Sequence, residues 1–192
     1  MIDELLQRQN NLQAEAIEVA KELKLDDLLS PMGKPIRVGS AALGLMVWRD
    51  LDITVVCPKL NMDAVAQIGA KLMVHVGVQE VQFRNDSGTW KVDSHYPDGL
   101  YLGIKYRSGG GHDWKLDIWF IDEPERQPDL IHMKTIPNRL NPELRASILS
   151  IKDIWAKRPE YGKTVTSYDI YKSVLDDGVQ TPEQFQEWLI HR

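Results

Sequence analysis

Two stretches of this chain alternate so regularly that each reads as a strand with one oily side and one acidic side. They are Asp50-Leu51-Asp52-Ile53-Thr54-Val55-Val56 and Lys115-Leu116-Asp117-Ile118-Trp119-Phe120. Successive side chains of a strand point to opposite faces, so Leu51, Ile53 and Val55 share one face, as do Leu116, Ile118 and Phe120. The other face is left with Asp50 and Asp52 on the first strand and Asp117 on the second. If the strands are neighbours, burying the apolar sides gathers three carboxylates on one patch. Carboxylates so close repel and raise one another's pKa unless a cation sits between them. Hard, oxygen-only ligands suit Mg²⁺ or Mn²⁺ rather than zinc. Such a patch fits two metals about 4 Å apart, the arrangement used for in-line phosphoryl or nucleotidyl transfer. Taken singly, each pattern also describes an ordinary half-exposed strand.

The rest of the chain places these strands in an α/β (α+β) frame. Residues 2–29 carry Leu5, Leu12, Ile17, Ala20, Leu23 and Leu25 at helical spacing and predict one long amphipathic helix, ended by Pro31, Gly33 and Pro35. A short strand at 36–38 precedes Gly39-Ser40, and a helix is expected over 62–76 with Gly77 as its C-cap. Strands are expected over 78–84, 100–107 and 114–121, the last two joined by the glycine-rich turn 108–113. After Pro124 the pattern turns helical: Asn141-Pro142 opens a helix to about Lys157, Ser167 caps one through Leu175, and Thr181-Pro182-Glu183-Gln184 opens the last. The expected division is a mixed-sheet unit with its N-terminal helix over 1–123 and a helical segment over 124–192.

Composition narrows the functions. A chain of 192 residues has room for one domain, with or without an appendage. With 28 acidic and 23 basic residues the net charge is −5, so nucleic acid is not an expected partner on charge alone. A small anion remains open where bound cations or helix termini supply positive charge. The single cysteine, Cys57, excludes an intramolecular disulfide and a thiolate zinc cluster. No apolar run approaches the ~20 residues of a membrane span, and the acidic Met1-Ile2-Asp3-Glu4 lacks signal-peptide character, so the expected compartment is the cytoplasm.

Upstream of the acid pair, Gly39-Ser40 follows a strand and precedes the small residues Ala41 and Ala42. Glycine permits close backbone approach, and a serine hydroxyl with following N–H groups can hold phosphate oxygens. The plainer reading is a tight turn with Ser40 capping a helix. The run Val38-Gly39-Ser40-Ala41-Ala42-Leu43-Gly44, then Arg49-Asp50-Leu51-Asp52-Ile53, with a third acid on a later strand, resembles the signature of the DNA polymerase β-type nucleotidyltransferase superfamily. Its acid-pair segment is most similar to that of antibiotic nucleotidyltransferases acting on aminoglycosides and lincosamides, although Arg49 stands where many members carry Ser. The resemblance covers roughly residues 30–123. It implies that Gly39 and Ser40 contact a nucleoside triphosphate, that Asp50 and Asp52 hold Mg²⁺ or Mn²⁺, and that Asp117 is the third carboxylate.

The resulting expectation is a metal-dependent nucleotidyltransferase moving NMP from an NTP to a hydroxyl of a small-molecule or protein acceptor. The alternatives are an inactive nucleotide-binding module of the same fold, or a glycosyltransferase gripping a sugar nucleotide through Asp50-Leu51-Asp52, which leaves Gly39-Ser40 without a role. Other residues keep two readings. The 108–113 turn can close over a nucleotide or simply be a hairpin tip, and Lys105, Arg107 and Lys115 can neutralise phosphate or lie on a solvated surface. Trp119 shares the Asp117 face and can stack on a ring, while the other tryptophans are read as core. A general base is needed, and Asp93, Asp113, Glu123 and Glu143 qualify by type. The tail is expected to wall the cleft, and a pocket shared across a homodimer is a further expectation.

Overall fold

The computed structural model describes residues 2–91 and 93–192. Helices α1 (Ile2–Glu22) and α2 (Leu25–Leu29) open the chain, followed by strand β1 (Lys34–Val38), helix α3 (Gly39–Leu43), strand β2 (Asp50–Val56) and helix α4 (Met62–Met73). Strands β3 (Val78–Asp86), β4 (Gly99–Arg107) and β5 (Asp113–Ile121) complete the sheet. The tail is α5 (Pro128–Thr135), α6 (Pro142–Trp155), α7 (Ser167–Leu175) and α8 (Pro182–His191). Strand order is β1-β2-β5-β4-β3, with β2 and β5 parallel and every other pair antiparallel.

The period-two pattern is realised as expected. Leu51, Val55, Leu116, Ile118 and Phe120 are fully buried, and they form one core with Leu12, Ala16, Val19 and Ala20 of α1 and Val65, Ile68 and Leu72 of α4. Each such side chain contributes roughly 1.5–3 kcal/mol by leaving water. A second core holds the tail, where Ile148, Ile151, Trp155, Ile170 and Phe185 close around Leu43 at the end of α3 and Leu45 just after it. Two cations of α6 tie the same segment down: Arg145 Nη1 donates to the Gly44 carbonyl at 2.9 Å, and Lys152 Nζ to the Leu45 carbonyl at 2.8 Å. The tail therefore packs beside the open face of the sheet.

Several local expectations are corrected. The N-terminal helix is two helices, because Lys24 takes a left-handed conformation (φ 50°) and the turn there buries both Leu23 and Leu25. Helix α4 ends at Met73 with Val74 as its cap, and Gly77 (φ 97°) sits in the following turn, where a Cβ would lie 2.4 Å from the Arg107 carbonyl oxygen. Helix α7 is capped by Thr166, not Ser167, since the Thr166 side chain and Asp169 satisfy each other's backbone N–H in a capping box. Trp114 and Trp155 are core residues, whereas Trp48 and Trp90 are exposed. Among the described residues no helix is long and apolar enough to cross a membrane.

Candidate active site

The parallel pairing of β2 with β5 is in a register that sets Asp52 directly against Asp117 and Asp50 against Lys115. Oxygens of Asp50, Asp52 and Asp117 consequently lie within 4.8 Å of one another. Burial is the main force on the pair from β2. It raises the Asp50 carboxyl to about 6, with Lys115 pulling it down and Asp117 pushing it up. Asp52 is held well above the ordinary carboxylate range, first by burial and then by Asp50 and Asp117. Asp50 Oδ1 is buried without a hydrogen-bond partner. Buried acceptors normally find a donor, and a site that raises the pKa of its acids is one in which a divalent cation would favour their ionised forms. The oxygen-only donor set fits Mg²⁺ or Mn²⁺.

The neighbours of the triad are fitted to it. Gly39, at φ 64°, lies so near the acid pair that a Cβ there would be 2.2 Å from Asp52 Oδ2. Only glycine combines that backbone conformation with that approach. Ser40, beside it, is 7% exposed and lines the cleft. Across β4, Gly103 stands directly opposite Asp117, and the Tyr101 ring leans into the space that a side chain would fill. From there the Tyr101 hydroxyl donates to Asp117 Oδ1, while Lys115 Nζ donates to Oδ2. Further along the same face Tyr101 and Trp119 pack with ring centroids 5.0 Å apart, and the Arg84 guanidinium lies over both.

The opposite wall comes from the tail. A cleft of about 810 Å³ has Gly39, Ser40, Asp50 and Asp52 on one side and Ser167, Tyr168 and Tyr171 of α7 on the other. Helix α5 closes a third side with Asp129 and His132. His132 stacks on Tyr168 at 4.2 Å and 14°, and Tyr168 is exposed to the cleft. Burial raises the Asp129 carboxyl and lowers the His132 imidazole. Behind Tyr171, Lys152 is 1% exposed and donates to the Tyr171 hydroxyl at 3.1 Å. Burial lowers its pKa, and Asp50 and Asp52 act on it in the opposite sense.

The five residues singled out in the sequence, Gly39, Ser40, Asp50, Asp52 and Asp117, are thus brought together, and Trp119 lines the same cleft. Other expectations fall elsewhere. The 108–113 turn is a hairpin tip docked on α1, where Gly109 N–H donates to Glu22, and it does not line the cleft of the triad. Of the four acids considered for proton transfer, Asp93 lines that cleft, Asp113 is paired with Arg107, Glu123 is paired with Arg126, and Glu143 is away on α6. Arg49 forms a two-toothed ion pair with Glu15, the nearer contact 2.7 Å, tying α1 to the start of β2. The sequence reading missed Tyr101, Asp129, His132, Tyr168 and Lys152. The Gly103 across from an acid strand was the one local signal for Tyr101.

No protein-family model matches the chain, and no curated protein does. Solved structures match it over most of its length. A Cid1 poly(U) polymerase variant bound to MgATP superposes with a TM-score of 0.61 at 20% identity, over 91% of this chain and 54% of its own. The chain shares the fold of that structure. A Cid1 structure described for RNA terminal uridylyl transferase activity agrees at a TM-score of 0.59 and 19% identity, over 91% of this chain and 51% of that one. A cytoplasmic RNA terminal U-transferase gives 0.51 and 22%, over 86% and 54%. The chain spans about half the length of these structures. The narrower similarity to antibiotic-modifying enzymes does not rest on these matches.

Proposed function

We propose that the protein transfers a nucleoside monophosphate from an NTP to a hydroxyl group of a small acceptor. The observation that carries this reading is the convergence of Asp50, Asp52 and Asp117 beside the Gly39-Ser40 bend, within a cleft walled by α7. Solved structures of like fold hold MgATP or MgGTP, which supports the same co-substrate here. The three carboxylates would hold Mg²⁺, whose chemistry is to neutralise charge developing on the transferring phosphate and on pyrophosphate.

The chain's own residues supply the rest. Gly39 and Ser40 bring backbone and hydroxyl to the triphosphate, and the exposed Tyr168 ring offers a stacking surface for the base. Lys152 places a buried positive charge behind Tyr171, within electrostatic reach of Asp50 and Asp52. The acceptor oxygen bonds to the α-phosphorus as the bond to the β-phosphate oxygen breaks, and pyrophosphate leaves. The hydroxyl proton passes to a carboxylate, for which Asp129 is the best suited: it is buried on the cleft wall, raised in pKa, and close enough to feel Asp117.

The wall formed by Trp119, Tyr101 and Arg84 is the acceptor side. Acids outnumber cations around this cleft, with Asp86, Asp93 and Asp129 against Arg84 and Lys91, which favours a compact acceptor over a polyanion. The solved structures of like fold are described as acting on RNA, so an oligoribonucleotide is the acceptor to test against it. The experiment is incubation with α-labelled ATP, GTP, CTP and UTP and Mg²⁺, with amino-sugar, nucleoside and oligoribonucleotide acceptors in parallel. Label on a small hydroxyl compound, lost in Asp52→Ala, is expected. Label on the oligoribonucleotide alone overturns the acceptor class. No label transfer and no Mg²⁺-dependent nucleotide binding overturns the reading altogether.

A further inference from the structure

Lys115 lies where the carboxylate site meets a second cleft. It is the direct register partner of Asp50 on β2 and of Lys105 on β4, so acid, lysine and lysine stand in one row across the open face. Like charges directly opposite on adjacent strands destabilise a sheet, and each lysine needs its own acid. Lys105 turns to the outer edge and pairs with Glu80 at 2.6 Å. Lys115 turns the other way, along its own strand, and pairs with Asp117. The second cleft, about 990 Å³, is lined by Lys115, Lys105, Arg107 and Asp113 and shares Trp48 and Asp50 with the first.

We propose that Lys115 is the resident cation of the carboxylate nest, occupying Asp117 until a nucleotide-borne divalent ion displaces its ammonium into the second cleft. This rests on the nucleotidyl-transfer reading above. Three observations carry it. The ammonium already holds one oxygen of Asp117, a carboxylate that would be among the ligands of a divalent cation held by the triad. The Lys115 side chain is 61% exposed, so leaving costs it little packing, and the second cleft gives it open space. Tyr101 keeps the other oxygen of Asp117, so the carboxylate stays aimed when the lysine departs. A divalent ion arriving alone has to evict Lys115 with protein ligands only. One arriving on a triphosphate brings phosphate oxygens as further ligands, and the exchange becomes favourable. Lys115 is thus a positioning residue that couples metal loading to nucleotide arrival.

The test follows Mn²⁺ binding by electron paramagnetic resonance, with and without a non-hydrolysable NTP analogue. Wild type is expected to bind Mn²⁺ alone at least about tenfold more weakly than with the analogue. Lys115→Met is expected to take up Mn²⁺ alone about tenfold more tightly than wild type, and Lys115→Met/Asp117→Asn to lose that gain. Lys115→Arg, which keeps the charge, should behave as wild type. Lys105→Met makes the same charge change one strand away and should shift affinity by no more than about twofold. If Lys115→Met binds free Mn²⁺ no better than wild type, or Lys105→Met improves binding equally, the Lys115 proposal falls while nucleotidyl transfer stands. If no variant or wild type binds Mn²⁺ even with the analogue, both fall.

Discussion

Gly39 and Asp52 face each other so closely that a methyl group on the glycine would lie 2.2 Å from the carboxylate oxygen Oδ2. The bend and the acid are therefore one device: the chain turns at φ 64° because the carboxylate occupies the space where a side chain would go. Gly39→Ala has to push Asp52 aside and strain the backbone together. Transfer is expected to fall by about 100-fold, the effect of misplacing a catalytic group by roughly 1 Å, with a stability loss of about 1 kcal/mol or more. Steady-state transfer and thermal melts measured on the same sample check both, and an unimpaired Gly39→Ala enzyme contradicts the geometry.

The acid pair sets a pH dependence. In the fold Asp50 titrates at about 6 against an ordinary value of 3.8, and Asp52 is raised in the same direction. Between those values the folded state holds a proton that the unfolded chain has released. The stability this contributes is complete below 3.8 and is lost as pH rises through about 6. Without divalent ions the protein is expected to melt lower at pH 8 than at pH 5.5. Asp50→Asn should recover up to about 3 kcal/mol at pH 8 while abolishing transfer. Mg²⁺ added with a non-hydrolysable NTP analogue should stabilise wild type far more at pH 8 than at pH 5. Calorimetry across that range is the check, and a variant no more stable than wild type at pH 8 contradicts it.

The proposed proton acceptor, Asp129, has a kinetic signature. It works only when ionised, so the rate should fall as pH drops through its raised pKa. Asp129→Asn is expected to lower kcat by about 100-fold and to remove that acid limb, with nucleotide affinity nearly unchanged. A variant that keeps the limb points to another base, with Asp93 the next acid on the cleft wall.

Lys152 supports the same wall from inside the tail. Lys152→Ala leaves the Leu45 carbonyl and the Tyr171 hydroxyl without their donor in a dry interior. A loss of about 3 kcal/mol is expected in urea unfolding, most of it the cost of unpaired buried groups. Lys152→Met refills the volume and should recover part of that stability. Its nucleotide affinity should stay low, because the positive charge behind Tyr171 is gone.

What the sequence alone determined was whatever depends on neighbours a few residues away. The alternation in Asp50–Val56 and in Lys115–Phe120 specifies a strand and the face each acid occupies, because side chains of a strand alternate whatever lies beside it. Asn141-Pro142 and Thr181-Pro182 announce helix starts for an equally local reason, since a cap bonds to the backbone two or three residues on. Lys24 escaped the pattern because its left-handed turn is favoured only by the burial of Leu23 and Leu25 on either side. Tertiary structure decided that Asp52 meets Asp117: their convergence needs β5 to pair parallel with β2 in one register, and a slip of one residue would turn Asp117 to the buried face. It also decided that Asp129, Tyr168 and Lys152 belong to the same site. Each reads as an ordinary helical residue in sequence, and they surround the triad because the tail core closes on Leu43 and Leu45. Side-chain alternation is a property of a single strand, whereas a catalytic cleft is made by segments that only packing brings together.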